Sequence, residues 1–478
     1  MNHEVHFGRI ERRHMRRVKN IFFVGIGGTG MSGIAEVLLN LGYSISGSDI
    51  KDSAVTQYLA QKGAQIFIGH AAENVEHADV VVVSSAIAEN NVEVKQARAL
   101  EIPVIRRAQM LAELMRFRFG IAIAGTHGKT TTTSLTASLL SDAGLDPTFV
   151  IGGILTAAGS NARLGEGHYL VAESDESDCS FWLLQPMISI VTNIDADHLE
   201  NYNGSYETLK AGFVRFLHNL PFYGLAVLCI DDAGVRSILP EVGRPVRTYG
   251  FSEDADVRAI NVRQKGLAMH FDVIAHDEDR CFSVTLNMAG KHNVLNALAA
   301  IIVGEELGID RETIIEGLAQ FKGVARRFTH HGRIAHDHGF ADVFEDYGHH
   351  PREIKAVLDA AMEGFAGRRI VAVFQPHRFT RTRDLLDDFA EVLAVCDCLV
   401  LTEVYAAGEE PIAGADARDL TRAIRAHGRV EPIFIADKEE IVPHLRHDIL
   451  QDDDVVIFFG AGDIGRVAKM MDELKIKE

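Results

Sequence analysis

The sequence predicts an α/β protein of three domains. Its 478 residues exceed what one hydrophobic core serves at roughly 100 to 200 residues per domain. From residue 19 onward, short β-branched runs alternate with longer amphipathic segments, the pattern of βα units around parallel sheets. Twice, an apolar strand runs into a Gly-rich turn that opens a helix. These features place the domains at 1–117, 118–322 and 323–478.

In the first domain, strands are expected at Ile21–Ile26, Tyr43–Ser48, Gln65–Ile68 and Val80–Ser84. Helical patterns at Met31–Leu41 and Ala54–Lys62 separate them, and 107–117 reads as the last helix. The second start is Gly120–Ala124, an apolar strand leading into a helix over Thr131–Ala143. Strands at Tyr169–Glu173 and Ile188–Asn193, with a β-rich stretch over 257–288, complete the central domain. After FKGVARRF (321–328) the alternation resumes, with strands at Ile370–Phe374, Cys398–Thr402, Pro432–Ile435 and Val455–Phe459, each followed by a helical pattern.

A content of 47% hydrophobic, 24% charged and 7% aromatic residues describes a folded chain and excludes a disordered or fibrous one. The 67 acidic and 48 basic residues give a formal charge of −19, which argues against nucleic acid or anionic lipid as a partner. An anionic ligand must then be held locally, by backbone N–H groups, a few Arg and Lys side chains, or metal ions. Cys179, Cys229, Cys281, Cys396 and Cys398 are few, odd in number and scattered, as expected in a reducing compartment. The Cys396-x-Cys398 pair reads as a strand alternating its faces. Arg12, Arg13, Arg16 and Arg17 precede an apolar stretch, but glycines at 25, 27, 28, 30 and 33 break it. No run of ~18 apolar residues occurs, so a cytoplasmic protein is expected.

Gly25, Gly27, Gly28 and Gly30, in GIGGTG, follow a strand and open a helix. In that setting backbone N–H groups approach a diphosphate at the positive helix end. Asp49 ends the next strand, where a carboxylate can accept a ribose hydroxyl. Such turns also serve tight packing alone. Gly125, Thr126, His127, Gly128, Lys129, Thr130 and Thr131 repeat the strand-turn-helix setting. They add a cation for terminal phosphates and a hydroxyl for Mg²⁺, which points to ATP or GTP. The match to GxxxxGK[ST] is incomplete, because position 123 is Ile.

Glu173 ends the strand HYLVAE and is followed by SDESD, while Asp195, Asp197 and His198 follow the strand ISIVTN. Both strand ends should face the edge that carries the second Gly-rich turn. Carboxylate oxygens suit Mg²⁺; solvated acidic loops are the plain alternative. Asn293 and Asn296, in GKHNVLN, share a helix face suited to amide contacts with a base, and helix capping explains one of them equally well. Arg326, Arg327, Glu345, Asp346, Tyr347, His349, His350, Arg378 and Arg381 cluster at and after the link into the third domain. Guanidinium groups at that density suit carboxylate and phosphate recognition, although His349-His350-Pro351 also reads as an ordinary cap region.

In their order and combination, these motifs resemble the Mur ligases, ATP-dependent amide-forming enzymes of bacterial peptidoglycan synthesis. The resemblance covers nearly the whole chain, through GIGGTGMSGIAE, SSAI (84–87), AGTHGKTTT (124–132), ESDESD (173–178), NIDADHLENY (193–202), GKHNVLNALAA (290–300), FKGVARRF, EDYGHHP (345–351) and FQPHRFTRT (374–382). It implies a Rossmann-like N-terminal domain for a UDP-sugar, a central P-loop domain for ATP, and a C-terminal Rossmann-like α/β domain that closes over the site. The implied substrates are UDP-N-acetylmuramate, L-alanine and ATP, with two Mg²⁺ ions, in a monomer or homodimer.

Position by position, the resemblance implies that Lys129 contacts the β and γ phosphates and that Thr130 with Glu173 holds one Mg²⁺, His198 with Glu173 serving a second. It assigns His292 and Asn293 to the adenine region, and Arg327 and Asp346 to the phosphates and ribose. Arg378, Arg381 and His349 fall to the amino-acid carboxylate and an acyl-phosphate intermediate. Gly27, Gly28, Asp49, His70, Ser84 and Ser85 match the UDP contacts. The chain departs from the family pattern at Glu345, where Asp is usual, and Lys210 is the nearest candidate for the carbamoylated lysine of several members. Three other readings compete: a family member recycling a preformed tripeptide, an NAD-dependent oxidoreductase using GIGGTG and Asp49, and a P-loop regulatory or transport ATPase.

Overall fold

The computed structural model describes residues 15, 17–84, 86–156, 160–275 and 281–471, which leaves Ser85, Arg12, Arg13 and Arg16 outside the described residues. The chain forms two compact units, Met1–Arg258 with Ala275–Asp279 and Asn296–Gly317, and Ala259–Ile274 with Arg280–Leu295 and Leu318–Glu478.

The first unit holds two parallel-rich sheets. In one, β1 (Asn20–Val24), β2 (Ser44–Asp49), β3 (Gln65–Ile68), β4 (Val80–Val83) and β5 (Val104–Arg106) run in the order β3-β2-β1-β4-β5, all parallel. The order reverses between β1 and β4, so a crevice opens at their carboxyl ends, where doubly wound sheets bind ligands. The other is built from β6 (Phe119–Ala124), β7 (Thr148–Leu155), β8 (Ser160–Arg163), β9 (Tyr169–Glu173), β10 (Ile188–Val191), β11 (Leu225–Cys229) and β12 (Val246–Gly250). Within this unit they follow the order β12-β11-β10-β6-β9-β7-β8, with β8 alone antiparallel to its neighbour. Near-continuous Val, Ile and Ala in β4, β6 and β10 fit strands covered on both faces.

The first two expected domains share one unit because the helix Thr29–Asn40 packs on β7 and β8. A Cβ added at Gly33 would stand 3.0 Å from Ala162 Cβ, so a side chain there would have to push its neighbour back by a few tenths of an ångström. Ile34 and Leu38 of that helix join Val150, Ala162 and Phe181 in one buried cluster. The helices after both Gly-rich turns begin two residues before the expected Met31 and Thr131, at Thr29 and Lys129, because Gly28 and Gly128 are the N-caps.

In the second unit, β13 (Val257–Lys265), β14 (Ala268–Ala275) and β15 (Cys281–Leu286) are successive neighbours, β14 and β15 antiparallel. A six-stranded sheet of β16 (Thr329–His336), β17 (Gly339–Asp346), β18 (Ile370–Phe374), β19 (Cys398–Leu401), β20 (Ile433–Phe434) and β21 (Asp454–Phe459) follows the order β16-β17-β21-β18-β19-β20. Alternate residues feed two cores, Phe344, Ile457 and Phe374 on one face and Val343, Val456 and Val373 on the other. Cys396 corrects the expected alternation: β19 begins only at Cys398, and the Cys396 thiol instead donates to Leu393 O at 3.0 Å, with both cysteines buried. All five cysteines are free, and among the described residues no helix is long and apolar enough to cross a membrane.

Candidate active site

Both Gly-rich turns lie at carboxyl edges of parallel strands. At the first, Gly27 N donates to Asp49 Oδ2 at 2.8 Å, so the carboxylate at the end of β2 braces the turn that follows β1. A Cβ at Gly27 would lie 2.8 Å from that oxygen and 3.1 Å from Thr56 Cγ2, so a side chain is excluded. His70 follows β3, and Ser84 follows β4. The sequence reading missed two nearby residues. Arg107 starts the helix Arg107–Met115 and passes so close to the turn that a Cβ at Gly30 would meet its Nη1 at 2.7 Å. Glu93, fully buried, accepts hydrogen bonds from Ser48 and Asn74 and lies 2.7 Å from His70 Nδ1. RRAQML at 106–111 offered a signal for Arg107; nothing local in NNVEVK marks Glu93 as buried.

At the second turn, Gly128 sits at φ 83 as the N-cap of the helix Lys129–Asp142. Lys129 Nζ donates to Gly125 O at 2.6 Å, Thr126 O at 3.1 Å and Glu176 Oε1 at 2.9 Å. Burial opposes its charge, but the carboxylates of Glu176, Asp175 and Glu173 outweigh that and hold its pKa above the usual lysine value. Asp175 also lies 3.7 Å from the Arg107 guanidinium. Thr130 Oγ1 lies 3.2 and 3.1 Å from the two oxygens of Glu173, and Gly152 N donates to the same carboxylate at 2.7 Å. A hydroxyl from the helix after β6 and a carboxylate at the end of β9 are thus brought together as hard oxygen donors of the kind that suit Mg²⁺.

His127 N donates to Asn193 Oδ1 at 2.8 Å, and its Nε2 stands 3.2 Å from Asp195 Oδ2, tying the turn to the loop after β10. His198, at φ 55, lies 3.5 Å from Asp197 and 3.6 Å from Glu200 and makes no hydrogen bond or ion pair with Glu173 or Thr130. Asn296 accepts from Thr132 Oγ1 at 3.1 Å, while Asn293 Nδ2 donates back to Ala289 O at 2.8 Å. Lys210 Nζ pairs with Glu207 at 2.8 Å and lies over the Tyr206 ring.

In the second unit, Arg326 and Arg327 divide their work. Arg326 Nε donates to Glu345 Oε1 at 2.7 Å and its Nη2 to Gly460 O at 2.7 Å, so it is a structural tie between the 321–328 link and the turn after β21. Glu345 also accepts from His331 at 3.0 Å, and the longer glutamate spans both partners. Arg327 makes no side-chain hydrogen bond among the described residues; its guanidinium lies 5.3 Å from the centre of the Tyr347 ring. Asp346 accepts from Phe328 N and Gly348 N, both at 2.7 Å, and burial pushes its pKa up to about 6 against the pull of Arg327. Burial, helped by Arg327, pushes His292 down to about 4.

His350 is the cap that the plain reading foresaw: its Nδ1 accepts from Arg352 N at 3.3 Å at the start of the helix Pro351–Gly364. His349 instead packs edge-on to both Tyr347 and His377, and burial lowers its pKa. His377, stacked 5.5 Å from Tyr405, was also missed; burial, with His349, Arg381 and Arg378, pushes it down to about 4. Arg378 takes φ 71 as the N-cap of the helix Phe379–Asp384, which carries the buried Arg381.

Comparison with known proteins accounts for this succession. The Mur ligase family catalytic domain matches residues 20–119, the Mur ligase middle domain 123–304, and the Mur ligase glutamate ligase domain 326–462. The chain is 58% identical over 460 residues to the UDP-N-acetylmuramate--L-alanine ligase of Methylobacillus flagellatus, covering 96% of this chain and 97% of that one. The crystal structure of the UDP-N-acetylmuramate-alanine ligase MurC from Thermotoga maritima is similar at a TM-score of 0.80 and 31% identity, over 95% of this chain and 98% of that one. A murein peptide ligase from Psychrobacter arcticus shares the fold at a TM-score of 0.70 and 24% identity, over 96% of this chain and all of that one. With every segment matched in order and one relative aligned nearly end to end, the chain belongs to the Mur ligase family.

Proposed function

We propose that this protein joins L-alanine to the muramoyl carboxylate of UDP-N-acetylmuramate, with conversion of ATP to ADP and phosphate, in peptidoglycan precursor synthesis. The observation that carries the reading is the grouping of Lys129, Thr130 and Glu173 at the carboxyl ends of β6 and β9, in a chain 58% identical to a ligase of that name. Carboxylate and amine in water form a salt, not an amide, so the carboxylate oxygen needs a better leaving group. Attack of the carboxylate on the γ-phosphorus of ATP forms an acyl phosphate and releases ADP. The amine nitrogen then adds to the acyl carbon, loses a proton and expels phosphate.

The residues fit these demands. Lys129, charged even though buried, offsets the repulsion between carboxylate and polyphosphate. Thr130 and Glu173 would hold Mg²⁺, which when bound neutralises phosphate charge; His198 is the proposed ligand of a second ion. Gly125, Thr126, His127, Gly128 and Thr131 line the phosphate turn. Asn293, Asn296 and His292 are proposed for the adenine side, His292 acting as a neutral imidazole. Arg327 and Asp346 are proposed for phosphate and ribose, and Arg378, Arg381 and His349 for the amino-acid carboxylate and the acyl phosphate. Gly25, Gly27, Gly28, Asp49, His70, Ser84 and Ser85 are proposed for the UDP-sugar. We propose domains at 1–117, 118–322 and 323–478, a cytoplasmic location, and a monomer or homodimer.

The test is phosphate release by the purified protein with each substrate left out in turn. Release only when UDP-N-acetylmuramate, L-alanine and ATP are all present is expected; equal release without either acceptor sinks the reading. Replacing L-alanine by the tripeptide separates the recycling ligase.

A further inference from the structure

Glu93 is a carboxylate with no solvent exposure, placed in the first turn of the helix Val92–Ala99. Burying a carboxylate is costly unless it is hydrogen-bonded throughout, and here three side chains converge on it. Ser48 Oγ donates to Oε2 at 2.7 Å, Asn74 Nδ2 donates to Oε1 at 2.8 Å, and His70 Nδ1 lies 2.7 Å from Oε2. His70 Nδ1 is also 3.0 Å from Ser48 Oγ.

Counting protons fixes the tautomer. The one hydroxyl proton of Ser48 goes to Glu93, so toward His70 the Ser48 oxygen can only accept, and an ionised carboxylate can only accept. The proton between His70 and both acceptors therefore sits on Nδ1, and in the neutral ring Nε2 carries a lone pair. Nε2 has no protein partner among the described residues, and the side chain keeps 21% exposure just past the carboxyl end of β3. Ser48 immediately precedes Asp49, so β2 supports two parts of the crevice with adjacent residues.

We propose that Glu93 is a positioning residue for the UDP-sugar: it locks His70 as the Nδ1–H tautomer, so that Nε2 accepts a hydrogen bond from an N–H or O–H of the uridine half. This rests on the proposed function, since it presumes that His70 meets that substrate. Glu93 itself touches no ligand and acts only through the ring.

The test combines kinetics with the resting state of the ring. Glu93→Leu removes the acceptor that the Nδ1–H of the imidazole needs; the KM for UDP-N-acetylmuramate should rise about tenfold, the worth of one hydrogen bond. The KM values for ATP and L-alanine should stay within about twofold. In a His70→Ala background the same substitution should change the KM for the sugar nucleotide by less than about twofold. An equal rise in both backgrounds, or a rise in all three KM values, would show a purely structural role and overturn the proposal. ¹⁵N NMR of the imidazole in the wild-type protein, well above its titration range, does not depend on a variant folding. Protonated Nδ1 supports the proposal, and protonated Nε2 overturns it. Wild-type protein that releases no phosphate with all substrates present would sink the proposed function instead, and the NMR result would still decide the tautomer.

Discussion

The two Gly-rich turns, Gly25–Gly30 and Gly125–Gly128, share strand, turn and helix, yet their surroundings differ in charge. The first is braced by a carboxylate that accepts from its own backbone, Asp49 on Gly27 N, and the cation beside it, Arg107, arrives from a distant helix. The second carries its cation within the turn, with Lys129 held by two loop carbonyls and Glu176, and sets a hydroxyl against a carboxylate at Thr130 and Glu173. Under the proposed function, the same local geometry serves binding in one place and group transfer in the other. What separates them is the set of side chains delivered by neighbouring strands.

Lys129→Ala should break the comparison most sharply. Phosphate release should fall by a factor on the order of 10³ or more, while UDP-sugar binding measured by calorimetry stays within about threefold. Loss of both would mean that the turns do not act separately. Glu173→Gln, which weakens the oxygen pair with Thr130, should lower kcat about a hundredfold and raise the Mg²⁺ concentration needed for half-maximal rate. An unchanged metal dependence would remove Glu173 from the ion site.

Gly27→Ala pushes a methyl group onto Asp49 Oδ2 and should raise the KM for the sugar nucleotide about tenfold without moving that for ATP. Gly128→Ala should do the reverse and also lower thermal stability. Its Cβ would stand 2.7 Å from Asn296 Oδ1, and φ 83 costs an alanine about 1 kcal/mol. The smallest effect expected is a pH dependence. Because burial raises the Asp346 pKa to about 6, the folded protein binds this proton more readily than the unfolded chain. Its contribution to stability is therefore fully present below the ordinary Asp pKa and is lost as pH rises to about 6. Its charge, in contrast, appears only above that point, so kcat/KM for ATP should fall as pH drops through about 6, and Asp346→Asn should flatten that step.

Much of this was legible in the sequence. Both turns, the strands that feed them, and the acidic ends of β9 and β10 stand in contiguous motifs, because a βα turn is local and its glycines are demanded by backbone geometry. What escaped were side chains brought in by tertiary packing. Glu93 lies in an unremarkable polar helix, Arg107 reaches its turn from another element, and Glu176 was visible in SDESD but not as the counter-ion of Lys129. The cluster of Arg and His at the third domain was found as a group, but its division of labour was not: Arg326 ties turns together, Arg327 keeps its donors, His350 caps a helix and His377 joins His349. Periodicity reports burial of apolar faces and says nothing about which polar groups meet.

The strand order of the last sheet bears on how the protein is made. Among the described residues β21 is the last strand in chain order, yet it lies between β17 and β18 and pairs with both. During synthesis, a ribosome that has released everything up to Leu450 exposes two half-sheets whose inner edges have no partner, the kind of edge that invites aggregation. This part of the molecule must wait for Asp454–Phe459 to leave the exit tunnel before its centre can form, while the two sheets of the first unit have long had their own strands in hand.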